Sequence, residues 1–379
     1  MNVFDSSPLE RALSLEAVVR AHADEADQNC RLSEPVATAL AETGLYRIGA
    51  PHAYGGEEAD PVTQIEVIEA VSRFDGAAGW NLMIGVENFG LIAPGCDACS
   101  DLLADPNVVM CSSTAATGRA QRDGEGYRVS GKWQFVSGCH NASVFAATIR
   151  LFEDDVEVSG NLYALTRDFD IIENWNVAGM RGSGSHDIEL DDVWVPENQI
   201  VKPLGGAEFD SPLARFPLGA RLAYNKVAIA FGITRAGLDA FVDLAEGKVP
   251  RFTSRSLRER STAQIAIAES EVRLLASRAL VMAQVSDMWA RVLKGDEISL
   301  KEKALFHISC SDAVRGAVES VDRIADAAGT SANFKAHPLE RISRDIRVVR
   351  QHLTVASHHI EDGGRVLLGL APRGLMLKS

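Results

Sequence analysis

The chain has 379 residues, with 38 Lys and Arg against 52 Asp and Glu, for a formal charge of −14. At 46% hydrophobic and 24% charged it is too apolar to be disordered, and it is long enough for two or three domains. The acidic balance argues against nucleic acid or an anionic membrane as the main partner, because both reward a basic face.

The most apolar stretches, such as Val227 to Ile233, are too short to span a bilayer. The segment Met1 to Glu16 carries Asp5, Glu10 and Glu16 without an apolar core, so no signal peptide is expected. Cys30, Cys96, Cys99, Cys111, Cys139 and Cys310 are scattered, as suits reduced thiols better than a disulfide framework. These features predict a soluble cytoplasmic protein.

The first zone, residues 1–107, reads as helical. Apolar residues recur at spacings of three and four over Leu9 to Ala23, Pro35 to Ala41 and Thr63 to Phe74, with turns at Gly44, Pro51, Gly55-Gly56 and Pro61. The middle zone, 108–205, changes period. Asp123-Gly124 signals a hairpin, and Tyr127 and Val129 then alternate with polar neighbours. After a Ser130-Gly131 turn, Trp133, Phe135 and Ser137 are expected on one strand face. Val144 to Leu151, Asn161 to Thr166 and His186 to Val195 read as further strands of an all-β barrel or sandwich. The last zone, 206–379, returns to helix. Ile265, Ala268, Val272, Leu275, Ala279 and Met282 step by 3, 4, 3, 4 and 3, one long apolar stripe. Ser299 and Glu302 form a capping box ahead of Leu305, Ile308, Val314, Val318 and Val321. A third helix is expected from Pro338 towards Gly363. Long helices with short connections predict an antiparallel bundle.

Few motifs carry chemistry by themselves. Cys96 and Cys99 form a CxxC without the second ligand pair that a zinc site needs, so no metal is expected. Gly179 to Ser185, in the sequence GMRGSGS, leads into a strand rather than a helix; its hydroxyls either cradle a polar ligand or only form a turn. His358 and His359 read as surface or capping residues of the third helix. His352 stands out, because Arg344, Arg347 and Arg350 precede it in an otherwise acidic protein. Such a setting suits an anionic cofactor or an imidazole acting as base.

Four stretches in order resemble the acyl-CoA dehydrogenase fold. They are Gly44 to Pro51 with Tyr54-Gly55-Gly56; Ser130 to Gly138; Met180 to Ser183 through Val193 to Glu197; and Pro338 to Arg341 with Arg344-Asp345. The resemblance implies an α+β architecture: an N-terminal helical domain, a middle β-domain and a C-terminal four-helix bundle. It departs at one point. Where the dehydrogenases commonly carry a catalytic Glu, this chain runs Arg344 to Thr354 with no carboxylate after Asp345, and His352 stands there. That exchange, with Ser137-Gly138-Cys139 and Leu367-Leu368-Gly369, is similar to the flavin-dependent monooxygenases of this fold. Their usual His-Ala-Asp-Trp reads His140-Asn141-Ala142-Ser143 here, which leaves His140 without a role.

The resemblance implies a monooxygenase of phenol- or indole-like substrates acting through a flavin C4a-hydroperoxide. Reduced FMN or FAD would diffuse from a separate NAD(P)H–flavin reductase, with O2 as co-substrate, in a homotetramer built as a dimer of dimers. The alternative is an acyl-CoA dehydrogenase or other FAD-dependent oxidase of the same fold. On this reading His352 is the general base, and Ser137 bonds near flavin N5. Trp133 and Phe135 lie against the isoalloxazine, Ser113 and Thr114 meet its pyrimidine edge, and Arg251 meets a phosphate. Trp80, Asn81, Asn88 and Phe89 line the substrate pocket.

Overall fold

The structure, a computed structural model, describes residues 6–96, 100–153, 156–158, 161–203 and 210–378. In chain order the first helices are α1 (Pro8–Ser14), α2 (Glu16–Asn29), α3 (Glu34–Glu42), α4 (Pro61–Phe74), α5 (Gly76–Leu91) and α6 (Ser100–Leu103). The strands follow as β1 (Met110–Asp123), β2 (Gly126–Val136), β3 (Val144–Glu153), β4 (Val156–Glu157), β5 (Leu162–Thr166), β6 (Asp170–Ile172), β7 (His186–Pro196) and β8 (Ile200–Val201). The last helices are α7 (Pro212–Arg215), α8 (Leu218–Gly247), α9 (Ser261–Lys294), α10 (Leu300–Ala328), α11 (Pro338–Gln351) and α12 (His358–Leu367). The expected boundary at 205/206 and Cys99 lie outside the described residues.

By its internal contacts the chain forms two compact units. One comprises Met1–Asp60, Trp80–Val177 and Arg181–Ala214; the other comprises Pro61–Gly79, Ala178–Met180 and Arg215–Ser379.

The first unit is built on a mixed eight-stranded sheet in the order β6-β7-β2-β1-β3-β5-β8, with β4 paired to β3. The Asp123-Gly124 hairpin forms as expected: β1 and β2 pair antiparallel from Asp123↔Gly126, and Gly124 takes φ +60°. The pairing of β1 with β3 is parallel, and the other ladders are antiparallel. Ser130-Gly131 is not a turn. β2 runs through it and shifts register against β7 there, so the pair is a bulge. The helix expected over Leu9 to Ala23 is two helices, α1 and α2, meeting at Leu15. Ser7 and Glu10 cap the first reciprocally, with Pro8 at its start.

In the second unit α8, α9, α10 and α11 pack as a bundle, with α4 along α8 and α12 along α10. Polar contacts tie α4 in: Tyr224 Oη donates to Gln64 Oε1 at 3.0 Å, and Glu69 pairs with Arg278 at 2.8 Å. The Ser299–Glu302 capping box opens α10 as its sequence predicts, and Val314, Val318 and Val321 are buried, whereas Leu305 is exposed.

Two expectations for this unit are corrected. The stripe on α9 does not face the bundle: Ile265, Val272 and Leu275 are 56%, 66% and 53% exposed. The buried face carries Ala263, Ala266, Ser270, Leu274, Val281, Val285, Met288 and Val292 instead. α9 is apolar on two faces, and periodicity alone does not say which one its neighbours cover. The late helix is also broken. His352 leaves α11 at φ −66°, ψ 135°, and α12 starts only at His358. At the break the His352 Nδ1 meets Thr354 Oγ1 at 3.0 Å and the Thr354 backbone N–H at 3.4 Å, so a side chain replaces the helical ladder.

Among the described residues no helix is long and apolar enough to cross a membrane. Cys30, Cys111, Cys139 and Cys310 are free thiols.

Candidate active site

In the sheet unit the end of β2 decides which side chains are presented. Alternation should place Trp133 and Phe135 on one face, but Phe135 takes φ +59° and the register against β7 shifts between Trp133 and Val136. Trp133 therefore turns inward and Phe135 outward. The Trp133 ring is fully buried, edge-on to Phe145 at 5.3 Å, and its Nε1 donates to the Thr148 carbonyl at 2.9 Å. A β-carbon on Gly118 or Gly131 would collide with the indole, so both glycines make room for it. The expectation that Trp133 lies against a flavin is thus corrected: its ring belongs to the sheet core. Phe135 is 68% exposed and stands edge-on to Trp175 at 6.1 Å. A positive φ at an aromatic residue is a costly conformation that turns a flat ring outward.

Just beyond the bulge, Ser137 is buried. Its Oγ accepts a hydrogen bond from Trp80 Nε1 at 3.0 Å and shares another with Ser185 Oγ at 2.7 Å. Ser185 Oγ in turn pairs with Ser183 Oγ at 2.7 Å. Two further bonds hold the loops together: Gly138 N donates to the Ser183 carbonyl at 2.9 Å, and Asn81 Nδ2 to the Gly182 carbonyl at 3.3 Å. The structure thus brings Ser137, Trp80 and Asn81 together. It also adds Ser183 and Ser185, whose only sequence signal was the small-residue run 179–185.

The other candidates of this unit lie apart from that cluster. Asn88 Nδ2 donates to the Met110 carbonyl at 2.7 Å, and Asn88 Oδ1 accepts from Ser112 Oγ at 2.6 Å. Phe89 is fully buried with the Arg47 guanidinium 4.5 Å from its ring centre, which makes it core rather than pocket lining. Ser113 is buried and donates weakly to the Gln134 carbonyl at 3.4 Å, while Thr114 is exposed.

His140 does have a place. Its Nε2 lies 2.7 Å from Glu173 Oε1, and His186 Nε2 lies 3.5 Å from the other carboxylate oxygen. The three could in outline hold a metal ion. The bonding of His186 argues against it. Its Nδ1 accepts the backbone N–H groups of Asn174 and Trp175, both at 3.0 Å, so the proton sits on Nε2, which meets the Cys30 carbonyl at 3.1 Å. A protonated nitrogen is no ligand. The His140 hydrogen bond holds the Glu173 carboxyl below its ordinary value.

In the helical unit His352 stands at the C-terminal end of α11. Burial first, then the charge of Lys226 on α8, pushes its imidazole down to about 3, so it is neutral throughout the physiological range. The basic run before it does not surround it. Arg344 binds Glu340 and the Ala178 carbonyl, and Arg347 pairs with Asp322 at 2.5 Å. Asp345, in the same run, is buried and accepts the Met180 N–H at 2.6 Å; burial raises its carboxyl to about 7. Arg251 lies exposed between α8 and α9. Thr354 and Lys226 are the neighbours of His352 that sequence reasoning missed, since neither belongs to a motif.

A flavin needs hydrogen-bonding groups for its ring nitrogens and flat apolar surface for its ring. The Trp80-backed hydroxyl of Ser137 and the outward ring of Phe135 fit that need.

The family model described as "Acyl-CoA dehydrogenase, N-terminal domain" matches residues 13–95, and "Acyl-CoA dehydrogenase, C-terminal domain" matches residues 225–357. Helices, mixed sheet and bundle in this order define the acyl-CoA dehydrogenase fold. The chain is 28% identical over 369 residues to the indole-3-acetate monooxygenase of Pseudomonas putida, covering 97% of this chain and 95% of that protein. It is also 28% identical over 357 residues to the flavin-dependent monooxygenase oxygenase subunit HsaA of Rhodococcus jostii, covering 91% and 93%. The crystal structure of 3-HSA hydroxylase from Rhodococcus sp. RHA1 superposes with a TM-score of 0.87 at 26% identity, over 98% of this chain and 99% of that one. The chain thus carries the acyl-CoA dehydrogenase fold, and relatives that span nearly its whole length are named flavin-dependent monooxygenases.

Proposed function

We propose that this chain is the oxygenase component of a two-component system that hydroxylates a small aromatic or heteroaromatic compound of phenol or indole type. Reduced FMN or FAD comes from a separate NAD(P)H–flavin reductase. The observation that carries this reading is the end of α11, where a neutral imidazole stands in place of a carboxylate. Relatives named an oxygenase subunit and an indole-3-acetate monooxygenase support it.

Bound reduced flavin supplies the activation of O2 that no side chain provides. The chain's own residues orient and move protons. Ser137 is the group for flavin N5, Phe135 offers the ring surface, and Arg251 is kept for a phosphate. Trp80, Asn81 and Asn88 are kept as groups near the substrate, and Ser112 and Ser113 as hydrogen-bonding groups of β1. His352 accepts the O–H or N–H of the substrate on Nε2, in the tautomer whose Nδ1–H donates to Thr354 Oγ1 at 3.0 Å, the shorter of its two contacts there. A base this weak is adequate, because that proton becomes strongly acidic as the aromatic ring gives up electron density. A neutral imidazole also costs less to bury beside Lys226 than an imidazolium does.

The exposed apolar stripe of α9 supports self-association, and we assign it to contact with further copies of the chain. The same reading places the enzyme in the cytoplasm, where the NAD(P)H that feeds a reductase is held. The test is oxygen-dependent product formation by the pure protein with chemically reduced FMN or FAD and a panel of phenols and indoles. Bleaching of a tightly bound flavin by acyl-CoA instead would replace this reading with a dehydrogenase.

A further inference from the structure

The hydroxyl chain behind Ser137 has a property that a single serine lacks. Trp80 Nε1 can only donate, so it occupies one acceptor site of the Ser137 oxygen permanently. Ser137 is left with one acceptor site and one proton. Its bond to Ser185 runs in either direction, and so does the bond from Ser185 to Ser183, because each joins two hydroxyls at 2.7 Å. All three oxygens belong to buried residues, which leaves the chain little water with which to compensate a mismatch.

The two directions present opposite faces to a ligand. If Ser183 donates to Ser185 and Ser185 to Ser137, the Ser137 proton points outward and Ser137 is a donor. If Ser137 donates to Ser185 and Ser185 to Ser183, the outward side of Ser137 is an acceptor. No covalent bond is made or broken in the exchange; each proton stays on its oxygen and only the rotors turn. A flavin demands this reversal, since N5 carries a bare lone pair when oxidised and an N–H when reduced.

We propose that Ser185, backed by Ser183, is a positioning residue that lets Ser137 reverse its hydrogen-bond polarity to match either redox state of the flavin. The proposal rests on the reading of Ser137 as the partner of flavin N5. Without Ser185 the donor state survives, because Trp80 still satisfies the oxygen and the proton still points outward. The acceptor state suffers, because the Ser137 proton then has no acceptor inside the protein.

The test is to measure dissociation constants for oxidised and for dithionite-reduced FMN and FAD, anaerobically, on wild type, Ser185→Ala, Ser185→Thr and Ser183→Ala. Ser185→Ala should weaken reduced flavin by about tenfold, the cost of one unsatisfied buried donor, while oxidised flavin changes by less than about twofold. The midpoint potential of the bound flavin falls accordingly. Ser185→Thr, which keeps the hydroxyl, restores the wild-type ratio. Ser183→Ala, a milder change, shows the same selectivity at roughly threefold. Equal weakening of both forms, no weakening, or failure of Thr to restore the ratio would overturn the relay. Absence of flavin binding by the wild-type protein would overturn the flavin reading itself, so the two failures are distinct.

Discussion

In the sheet unit the buried hydroxyls of Ser137, Ser183 and Ser185 bond one another and an indole N–H; in the helical unit the imidazoles of buried His307 and half-buried His352 are held neutral against their ordinary titration. The first arrangement is satisfied internally and has no titratable member, so acid leaves its donors and acceptors unchanged. The second stores sensitivity to acid, because each imidazole lost hydration that no opposite charge fully offsets. The hydroxyl chain therefore orients a ligand independently of pH, whereas the two bundle imidazoles carry a response to acid.

The largest test of this contrast is Trp133→Ala. If the indole serves the sheet core, the substitution should cost about 3–5 kcal/mol and lower the melting temperature of the protein without any flavin present. A variant of unchanged stability that merely binds flavin poorly would return Trp133 to the ligand. Next is His352→Ala, for which we expect product formation to fall by about a hundredfold or more while reduced-flavin binding persists and peroxide is released instead. Undiminished hydroxylation would remove His352 from the chemistry.

Gly138→Ala is intermediate and breaks the sheet side locally. Gly138 has φ +74°, and a β-carbon there would sit 2.6 Å from Asn81 Oδ1. Backbone strain and the displaced amide together should cost about 2 kcal/mol in denaturant unfolding. A neutral outcome would mean that Asn81 moves freely, and that its bond to the Gly182 carbonyl matters little.

Much of the architecture was legible because it rests on local chemistry. The Ser299–Glu302 box, the Asp123-Gly124 hairpin and the change of period near Met110 each follow from a few neighbouring residues. The late His352 was legible as a departure from a family pattern. What escaped reading depended on partners distant in sequence. The bulge at Phe135 breaks an alternation that the letters themselves satisfy, so it turned Trp133 into the core and left Phe135 outside. The stripe on α9 has good helical period, but period does not reveal which of two apolar faces meets a neighbour. The hydroxyl chain joins residues 48 positions apart, and the serines are unremarkable until the sheet places them together.

The smallest effect sharpens the helical side of the comparison. His307 on α10 is buried, stacked on His359 at 4.9 Å, and among the described residues neither ring nitrogen has a hydrogen-bond partner. Burial, with His359, His358 and Lys303 adding to it and Asp362 opposing, lowers its pKa from 6.5 to about 3. The unfolded chain therefore binds a proton below about pH 6.5 that the folded chain refuses. Stability is fully present above that pH and is lost as the pH falls towards about 3. His307→Leu removes both the unpaired nitrogens and this slope. It should stabilise the protein by about 1 kcal/mol at pH 7.5, and the advantage over wild type should widen on acidification to pH 5, followed by urea unfolding at each pH. A gap that stays constant would show that His307 is protonated in the fold, with Asp362 outweighing burial. A gap that narrows would show its pKa raised, and acid sensitivity would then have to be sought in His352 and His359.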